Sequence, residues 1–203
     1  IVDYAAYLVV RAFLCVVQAL PPSTCLGISN QLGNFCWKVL KLRRHVVEEN
    51  LQTAFPQLSQ QQRDRIAVAM WQHLFLMIIE IAHAPRKVHR TNWRDHSSGP
   101  GMNELLRAML DERPTVLICG HLGNFEMGGY LIAMHGFPTH TIARPLDNRY
   151  LDKFFKDFRE STGQYMLTKR GSSQEIDELL KRGGALGLLG DQDAGSRGCW
   201  VDF

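Results

Sequence analysis

The sequence has few cysteines, and they follow no pairing pattern. The five cysteines are odd in number, lie mostly among apolar neighbours and include no Cys-x-x-Cys spacing. This arrangement argues against a disulfide framework and a zinc site, and it predicts reduced thiols in a protein that faces the cytosol. Repeats and low-complexity tracts are also missing. Because 45% of the 203 residues are hydrophobic, the chain can bury a core, and disorder is not expected.

The sequence also has little excess of one charge, since its formal net charge is only +3. The basic residues nevertheless cluster in two short segments, 38–44 and 86–94. Basic patches of this kind suit anionic lipid headgroups, an acidic carrier protein or nucleic acid. A solvated helix face is the alternative interpretation of both segments.

A near-continuous hydrophobic run covers residues 4–20, interrupted only by Arg11 and Gln18 and followed by two prolines. Its length of about 17 residues is at the lower limit for crossing a bilayer, and a central arginine costs roughly 2.5 to 3.5 kcal/mol there. We therefore predict a membrane-embedded or interfacial helix within residues 1–30. A buried amphipathic helix is the alternative, and the mid-segment charge argues against a cleaved signal peptide.

A helical platform is predicted to follow this run. An apolar and basic stretch at 32–44 leads toward a helix that Pro56 breaks. Ser59 and Gln62 then form a capping-box pattern, and apolar residues recur at helical spacing from there to Ile81. The larger domain is expected to cover residues 31–203. Because the chain begins without methionine and its last four residues resemble a strand, we expect a fragment of a longer protein.

Strand and helix patterns alternate in the second half of the sequence. Short apolar runs predict strands at 116–119, 139–143 and 185–189. Amphipathic patterns predict the intervening helices at 125–135, at 151–158 and after Ser172, which forms a capping box with Glu175. This alternation predicts an α/β fold in which a mainly parallel sheet is flanked by helices.

Polar side chains directly follow three of the predicted strands. The three clusters are His121 to Glu126, Arg144 to Asn148, and Asp191 to Asp193. Ligands bind at the carboxyl ends of the strands in sheets of this kind. The sequence therefore predicts one binding edge to which all three clusters contribute.

His121 and Glu126 have the residue types of a general base and the acid that orients it. On one continuous helix, residues five apart point about 140° away from each other, so the two would not meet. They can meet if His121 lies in a loop and Glu126 in the first turn of the next helix. Gly120 and Gly123 allow such a loop, and Asn124 is a plausible N-cap. The carboxylate would then fix the imidazole tautomer and leave the other nitrogen free to accept a proton.

Other interpretations of these residues stay open at this point. His121 can instead be a structural helix cap, and Cys119, the nearest nucleophile, is predicted to end a buried strand. Arg144 suits an anion clamp or a surface ion pair with Asp147. The carboxylates of the third cluster can bind a cation or orient Arg144 or a loop, and two carboxylates without further oxygen ligands do not predict a metal site.

Several ordered motifs resemble those of the bacterial lipid A late acyltransferase family, the lauroyl and myristoyl transferases, and the related mycobacterial phosphatidylinositol mannoside acyltransferases. The motifs are Asn50-Leu51 with Ala54-Phe55-Pro56, Gly120-His121 with Asn124 and Glu126, Arg144-Pro145 with Asp147-Asn148, and Asp191-Gln192-Asp193 followed by Val201-Asp202-Phe203. The resemblance extends through most of the chain.

This resemblance implies an enzyme of the inner membrane that acts on its cytoplasmic face and transfers a fatty acyl chain from an acyl carrier protein or coenzyme A thioester to a glycolipid hydroxyl. It implies His121 and Glu126 as the catalytic pair and Arg144 as a donor- or acceptor-binding residue. Its mycobacterial members have a functional Glu at the position of Asp191. The expected substrate-binding residues are Arg144, Asn124, Gly123, Asp191 and Asp193.

The resemblance also implies acyl thioester as the co-substrate, membrane lipids as partners, and no cofactor, metal or nucleic acid. Two other functions are considered. A glycerophosphate or lysophospholipid acyltransferase would share the spacing of His121 and Glu126 but normally has Asp at the second position. A non-catalytic lipid-binding membrane protein would need these residues for structure alone.

Overall fold

The structure is a computed structural model that describes residues 2–168 and 171–192. By their contacts the residues form two units, Leu8–Lys87 and a second unit that combines Ile1–Tyr7 with Val88–Phe203. The predicted boundary near residue 30 lies inside a helix of the first unit, so it does not coincide with this division. The assignment of residues 1–30 and 31–203 to separate functions stays a prediction.

The first unit is entirely helical where the structure describes it. Its elements are α1 (Val2–Ala19, which begins in the other unit), α2 (Pro22–Phe35), a π-helical segment (Cys36–Leu40), α3 (Arg44–Ala54) and α4 (Gln60–Lys87). The predicted capping box is confirmed, since Ser59 N donates to Gln62 Oε1 at 2.8 Å and Gln62 N donates to Ser59 Oγ at 3.3 Å. Helix α3 ends before Pro56, as the sequence predicts.

Two helices of the described residues, α1 and α4, are long and apolar enough to cross a bilayer. The hydrophobic segment predicted near the N-terminus is confirmed as a helix, α1, and only 6% of its 18-residue apolar stretch is buried. Core helices of soluble proteins pass the same test of length and composition. Helix α4 packs along α2, and 22% of its apolar stretch is buried.

Helices α2 and α4 approach each other through a row of small residues. Cys25, Ser29 and Gly33 recur every fourth position on α2, and all three are buried. A Cβ atom at Gly33 would lie 2.6 Å from the backbone nitrogen of Gln72 on α4. A side chain at this position therefore requires the two helix backbones to separate.

Replacing Gly33 with alanine is expected to lower the free energy of unfolding by about 1 to 3 kcal/mol, the usual cost of overpacking a core. Gly27 is the matched control, because it lies on the same helix and a Cβ there would meet nothing within 4 Å. Gly27→Ala should stabilise the protein by about 0.5 to 1 kcal/mol through helix propensity. Urea unfolding of both variants measures the difference, and equal effects would contradict the packing argument.

The second unit contains the predicted α/β fold. In chain order its elements are α5 (Met102–Leu110), β1 (Thr115–Cys119), α6 (Phe125–Met134), β2 (Thr139–Ala143), α7 (Arg149–Glu160), β3 (Gln164–Thr168), α8 (Ser173–Lys181) and β4 (Ala185–Leu189). The four strands form one parallel sheet in the order β1-β4-β2-β3. The carboxyl ends of all four strands therefore lie at one edge, where the sequence predicts the catalytic residues, and we call it the catalytic edge.

Three details differ from the sequence predictions. Strand β3 was not predicted. Ser172 precedes α8 as expected, but its hydroxyl donates to the carbonyl oxygen of Thr168 instead of capping the helix. Cys119 is exposed rather than buried, and Ile118 on β1 is 72% exposed, because β1 pairs only with β4 among the described residues.

Candidate active site

The turn after β1 has the loop-to-helix geometry that the sequence predicts. Gly123 has a φ of +59°, a backbone conformation that glycine adopts without strain. Asn124 is the N-cap of α6, since its side chain accepts a hydrogen bond from Met127 N at 3.2 Å. His121 therefore lies in the loop, just beyond the end of β1, and Glu126 lies in the first turn of the helix.

The imidazole of His121 is held by Asp191, from the segment that follows β4. His121 Nδ1 lies 2.6 Å from Asp191 Oδ1, and the backbone nitrogen of His121 donates to Asp191 Oδ2 at 2.7 Å. An ionised carboxylate only accepts hydrogen bonds, so the Nδ1 atom of His121 carries the proton. One carboxylate thus fixes both the backbone and the ring of the histidine.

The strand register explains why these two residues meet. Cys119 at the end of β1 is paired with Leu189 at the end of β4 in the parallel ladder. His121 and Asp191 each lie two residues beyond that pair, at the same height on the catalytic edge. Gly190 N extends the ladder by donating to Cys119 O at 3.0 Å. A Cβ atom at Gly120 would lie 3.1 Å from Asp191 Oδ2, so glycine gives the carboxylate its room.

The hydrogen bonds from His121 also affect the acidity of Asp191. The side-chain bond from His121, followed by the bond from its backbone nitrogen, lowers the pKa of the Asp191 carboxyl below its ordinary value. Asp191 therefore stays ionised at every pH near neutrality. A permanently charged partner holds the imidazole in a single tautomer and stabilises an imidazolium once it forms.

The second nitrogen of the His121 ring is available for chemistry. Within residues 2–168 and 171–192, His121 Nε2 has no hydrogen-bond partner, and the side chain is 29% exposed. The ring of Phe125 packs against the imidazole edge-on, with centroids 4.8 Å apart. The histidine is thus oriented from two sides, and an unprotonated Nε2 can accept a proton from a bound hydroxyl.

Glu126 occupies a different position from the one predicted. Its carboxylate accepts two hydrogen bonds from the guanidinium of Arg159 on α7, the first from Nε at 2.9 Å. The two side chains are only 19% and 25% exposed. The predicted hydrogen bond between Glu126 and His121 is therefore wrong in this structure, because Glu126 faces α7 while His121 faces β4. A catalytic role for Glu126 stays a prediction.

Arg159 was not predicted as a site residue, although its position in the amino-acid sequence indicates a partner. Arg159 follows Leu151 and Phe155 at a spacing of four residues, so it lies beside the apolar stripe of α7. A cation in such a place needs a partner among the elements that the stripe packs against. The bond to Glu126 raises the pKa of the Arg159 guanidinium further above its ordinary value. The pair therefore connects the first turn of α6 to the last turn of α7.

Breaking the bond between Glu126 and Arg159 is expected to destabilise the protein measurably. Glu126→Gln and Arg159→Met should each lower the free energy of unfolding by about 2 kcal/mol, since a charged hydrogen-bonding group loses its partner. The double variant should lose less than the sum of the two. Lys153→Gln, which breaks an exposed pair with Asp157 on the same helix, is the control and should change stability by less than about 1 kcal/mol. Additive single effects would contradict direct coupling.

The remaining predicted site residues lie along the same edge or outside the described part. Arg144 follows β2, is 80% exposed and, among the described residues, forms a long ion pair with Asp147, at 3.8 Å. This is the surface pair considered above, and it leaves the guanidinium accessible to an anion. Asp191 bonds to His121 rather than to Arg144. Asp193 and the strand expected at 200–203 lie outside the described residues.

No metal site is assigned from the structure. Among residues 2–168 and 171–192, no group of three or more His, Cys, Asp and Glu side chains converges. The carboxylate of Asp191 is engaged with His121, which agrees with a role in orienting the imidazole. The arrangement at the catalytic edge is thus a histidine with a free Nε2, a carboxylate behind it and an exposed arginine one strand away.

Comparison with known proteins gives one consistent result. The family model described as bacterial lipid A biosynthesis acyltransferase matches residues 1–203. The chain is 25% identical over 186 residues to the lipid A biosynthesis palmitoleoyltransferase of Escherichia coli (strain K12), which covers 90% of this chain and 58% of that protein. It is 25% identical over 188 residues to the lipid A biosynthesis lauroyltransferase of the same organism, which covers 91% of this chain and 59% of the relative.

A third relative comes from a different group of bacteria. The phosphatidylinositol mannoside acyltransferase of Mycobacterium tuberculosis (strain ATCC 25618 / H37Rv) is 32% identical over 108 residues, covering 51% of this chain and 34% of that protein. The resemblance read from the sequence motifs is confirmed by these matches. The chain spans less than two thirds of the length of the lipid A acyltransferases that it matches.

Proposed function

Because the chain belongs to the bacterial lipid A biosynthesis acyltransferase family, we propose that its complete protein transfers a fatty acyl chain from an acyl thioester to a hydroxyl of a glycolipid such as a lipid A precursor. The observation that carries this proposal is the contact between His121 and Asp191 at the carboxyl ends of the strands. It presents an unprotonated Nε2 where ligands of parallel sheets bind. The thioester is an acyl carrier protein or coenzyme A derivative and serves as co-substrate.

In the proposed reaction His121 acts as the general base. Its Nε2 removes the proton from the acceptor hydroxyl while that oxygen attacks the thioester carbonyl carbon. Asp191 stabilises the imidazolium that results, in the way a carboxylate supports histidine in hydrolytic triads. The tetrahedral intermediate then collapses, the carbon–sulfur bond breaks, and His121 returns the proton to the departing thiolate. The products are an ester and a free thiol, and no cofactor enters the balance.

The oxyanion of the intermediate needs hydrogen-bond donors at the same edge. We assign this role to the backbone amides around Gly123 and Asn124, at the start of α6, and leave Arg144 to bind the acyl donor or the glycolipid acceptor. A single well-placed donor contributes roughly 3 to 4 kcal/mol to such a transition state. Helix α6 also directs the positive end of its dipole toward this turn, which favours a developing negative charge.

Membrane association is part of the same proposal. Helix α1 exposes large apolar side chains such as Leu8, Val9, Phe13 and Val16. An aqueous protein surface seldom exposes that many on one helix, whereas a lipid surface accommodates them. Inner-membrane attachment with the catalytic edge on the cytoplasmic side supplies the glycolipid acceptor and the cytoplasmic acyl donor together.

Acyl transfer by the complete purified protein, with a panel of acyl carrier protein and coenzyme A thioesters and candidate acceptors, tests the function directly. Mass spectrometry of lipids from cells with and without the gene separates the alternatives. Altered glycolipid acylation supports the proposal, whereas altered glycerophospholipids would indicate a glycerophosphate or lysophospholipid acyltransferase. No change in either class, together with no transfer in vitro, would indicate a non-catalytic lipid-binding protein.

A further inference from the structure

Asn148 makes hydrogen bonds in two directions from the end of the loop that carries Arg144. Its Oδ1 atom caps α7 by accepting from Tyr150 N at 3.0 Å and from Leu151 N at 3.2 Å. Its Nδ2 atom donates to the carbonyl oxygen of Asp3, in the first turn of α1, at 2.8 Å. One amide side chain therefore joins the start of α7 to the start of α1.

Aromatic rings reinforce this junction. The ring of Tyr150 packs against Tyr4 edge-on with centroids 5.1 Å apart, and it lies 6.0 Å from the ring of Tyr7. Tyr7 also meets Phe154, one turn further along α7, at 6.4 Å. All of these residues belong to the unit that contains the sheet. Residues 2–7 are thus attached to the first turn and a half of α7 by contacts of their own.

The loop between β2 and α7 is fastened at the same place. Leu146 N donates to Asp152 Oδ1 at 2.8 Å, which holds the middle of the loop against α7. Arg144 and Asp147 are nearly fully exposed, so their side chains contribute little to the position of the loop. The Arg144 backbone is therefore held on one side by the pairing of β2 with β3, and on the other by the contacts of Asn148 and the Leu146 amide.

We propose that Asn148 is a positioning residue that makes the first turn of α1 part of the substrate-binding edge. By holding α1 and α7 together, Asn148 fixes the loop on which Arg144 meets the anionic part of its substrate. This inference rests on the proposed function, in which Arg144 binds either the acyl donor or the glycolipid acceptor. It adds that residues 2–7 have a structural role at the site in addition to any contact with lipid.

The substitution Asn148→Asp keeps the hydrogen bonds accepted from α7 and removes the one donated to Asp3. Aspartate is as good an N-cap as asparagine, and its charge favours the N-terminus of α7, so the cap is retained. Aspartate has no N–H to donate, and its oxygen would oppose the carbonyl oxygen of Asp3. Asn148→Ser keeps the cap and removes the donor without adding charge, while Asn148→Ala removes both bonds.

The experiment uses the complete protein in detergent or lipid and has two readouts. Amide hydrogen exchange should quicken in residues 2–7 of Asn148→Asp and Asn148→Ser but stay unchanged in α7. The KM of the substrate bound by Arg144 should rise about tenfold with little change in kcat. That substrate is identified as the one whose KM rises in Arg144→Gln. The variant that combines Arg144→Gln with Asn148→Asp should be no worse than Arg144→Gln alone, since no guanidinium remains to be positioned.

Three results would overturn the proposal. Normal exchange in residues 2–7 of Asn148→Asp would mean that Asn148 only caps α7. Faster exchange with an unchanged KM, or additive effects in the combined variant, would mean that the junction positions nothing that the reaction uses. The exchange measurement does not depend on activity. Absence of any acyl transfer by the wild-type protein would therefore count against the proposed function and leave the junction itself under test.

Discussion

Replacing His121 with alanine is expected to lower the rate of acyl transfer by about a hundredfold to ten-thousandfold, the contribution of general base catalysis. The proposed reaction uses His121 Nε2 as the proton acceptor, with Asp191 bonded to the other ring nitrogen. The loss should appear in kcat, because the imidazole interacts with the hydroxyl proton mainly in the transition state. The measurement is transfer by the complete purified protein under saturating acyl donor and acceptor.

His96→Ala is the matched control for this experiment. His96 is an exposed histidine at the end of the short 3₁₀ helix Trp93–His96, away from the strand ends. Its replacement should leave the rate close to that of the wild-type protein. Near-normal transfer by His121→Ala would refute base catalysis at this residue. An acyl adduct on Cys119, detected by mass spectrometry of the intact protein, would instead indicate a covalent route, since that thiol is exposed beside the site.

Replacing Asp191 with asparagine is expected to cost about a hundredfold or more, although the side chain keeps its size. An amide at this position can donate to Nδ1 as well as accept from it, so the ring is free to carry its proton on Nε2 and loses its function as a base. The equivalent change in the serine-protease triad lowers kcat by about ten-thousandfold for the same reason. The loss in Asp191→Asn should exceed the loss in Glu126→Gln, since Glu126 bonds to Arg159.

The effect of Asp191→Asn on the rate is expected to depend on pH in a predictable direction. The pKa of Asp191 is lowered in the folded protein, so its carboxylate stays charged as the pH falls past the ordinary range of aspartate. The ratio of wild-type to Asp191→Asn rates should therefore be largest and constant in the alkaline range up to about pH 9, where the base is neutral in both proteins. It should shrink as the pH falls, because the ionised Asp191 favours the imidazolium of His121 and the wild-type protein loses its base more readily than the variant. A larger loss in Glu126→Gln than in Asp191→Asn would identify Glu126 as the functional partner of His121.

Most of the sheet could be predicted because three of its four strands are short apolar runs in the sequence. The predicted strand at 139–143 and the predicted strand at 185–189 have the bounds that the structure gives, and β1 begins one residue earlier than predicted. Strand β3 was missed because its first residue, Gln164, is polar yet only 4% exposed. Gly129 on α6 makes room for this amide, since a Cβ there would lie 2.8 Å from Gln164 Oε1. Periodicity cannot reveal a buried polar residue that a glycine elsewhere accommodates.

The partner of His121 was missed for a different reason. Reasoning from spacing favours acids close in sequence, and Glu126 is five residues away whereas Asp191 is seventy away. The correct pairing follows from β1 and β4 being neighbours in register. Alternating strands and helices in a sequence predict parallel strands. They do not predict the order of the strands within the sheet, which depends on how the helices pack. The sequence therefore predicts the edge and its residues but not which of them touch.

Strand order also determines when the site can form. The last of the four strands to be synthesised, β4, lies in the interior of the sheet between β1 and β2. Among the described strands, β1 pairs with β4 alone, so it has no partner until the chain has been translated to residue 189. Closing so long a loop is entropically costly and makes this pairing a late folding event. The contact between His121 and Asp191 can form only after that insertion, so a nascent chain contains His121 long before Asp191 can orient its imidazole.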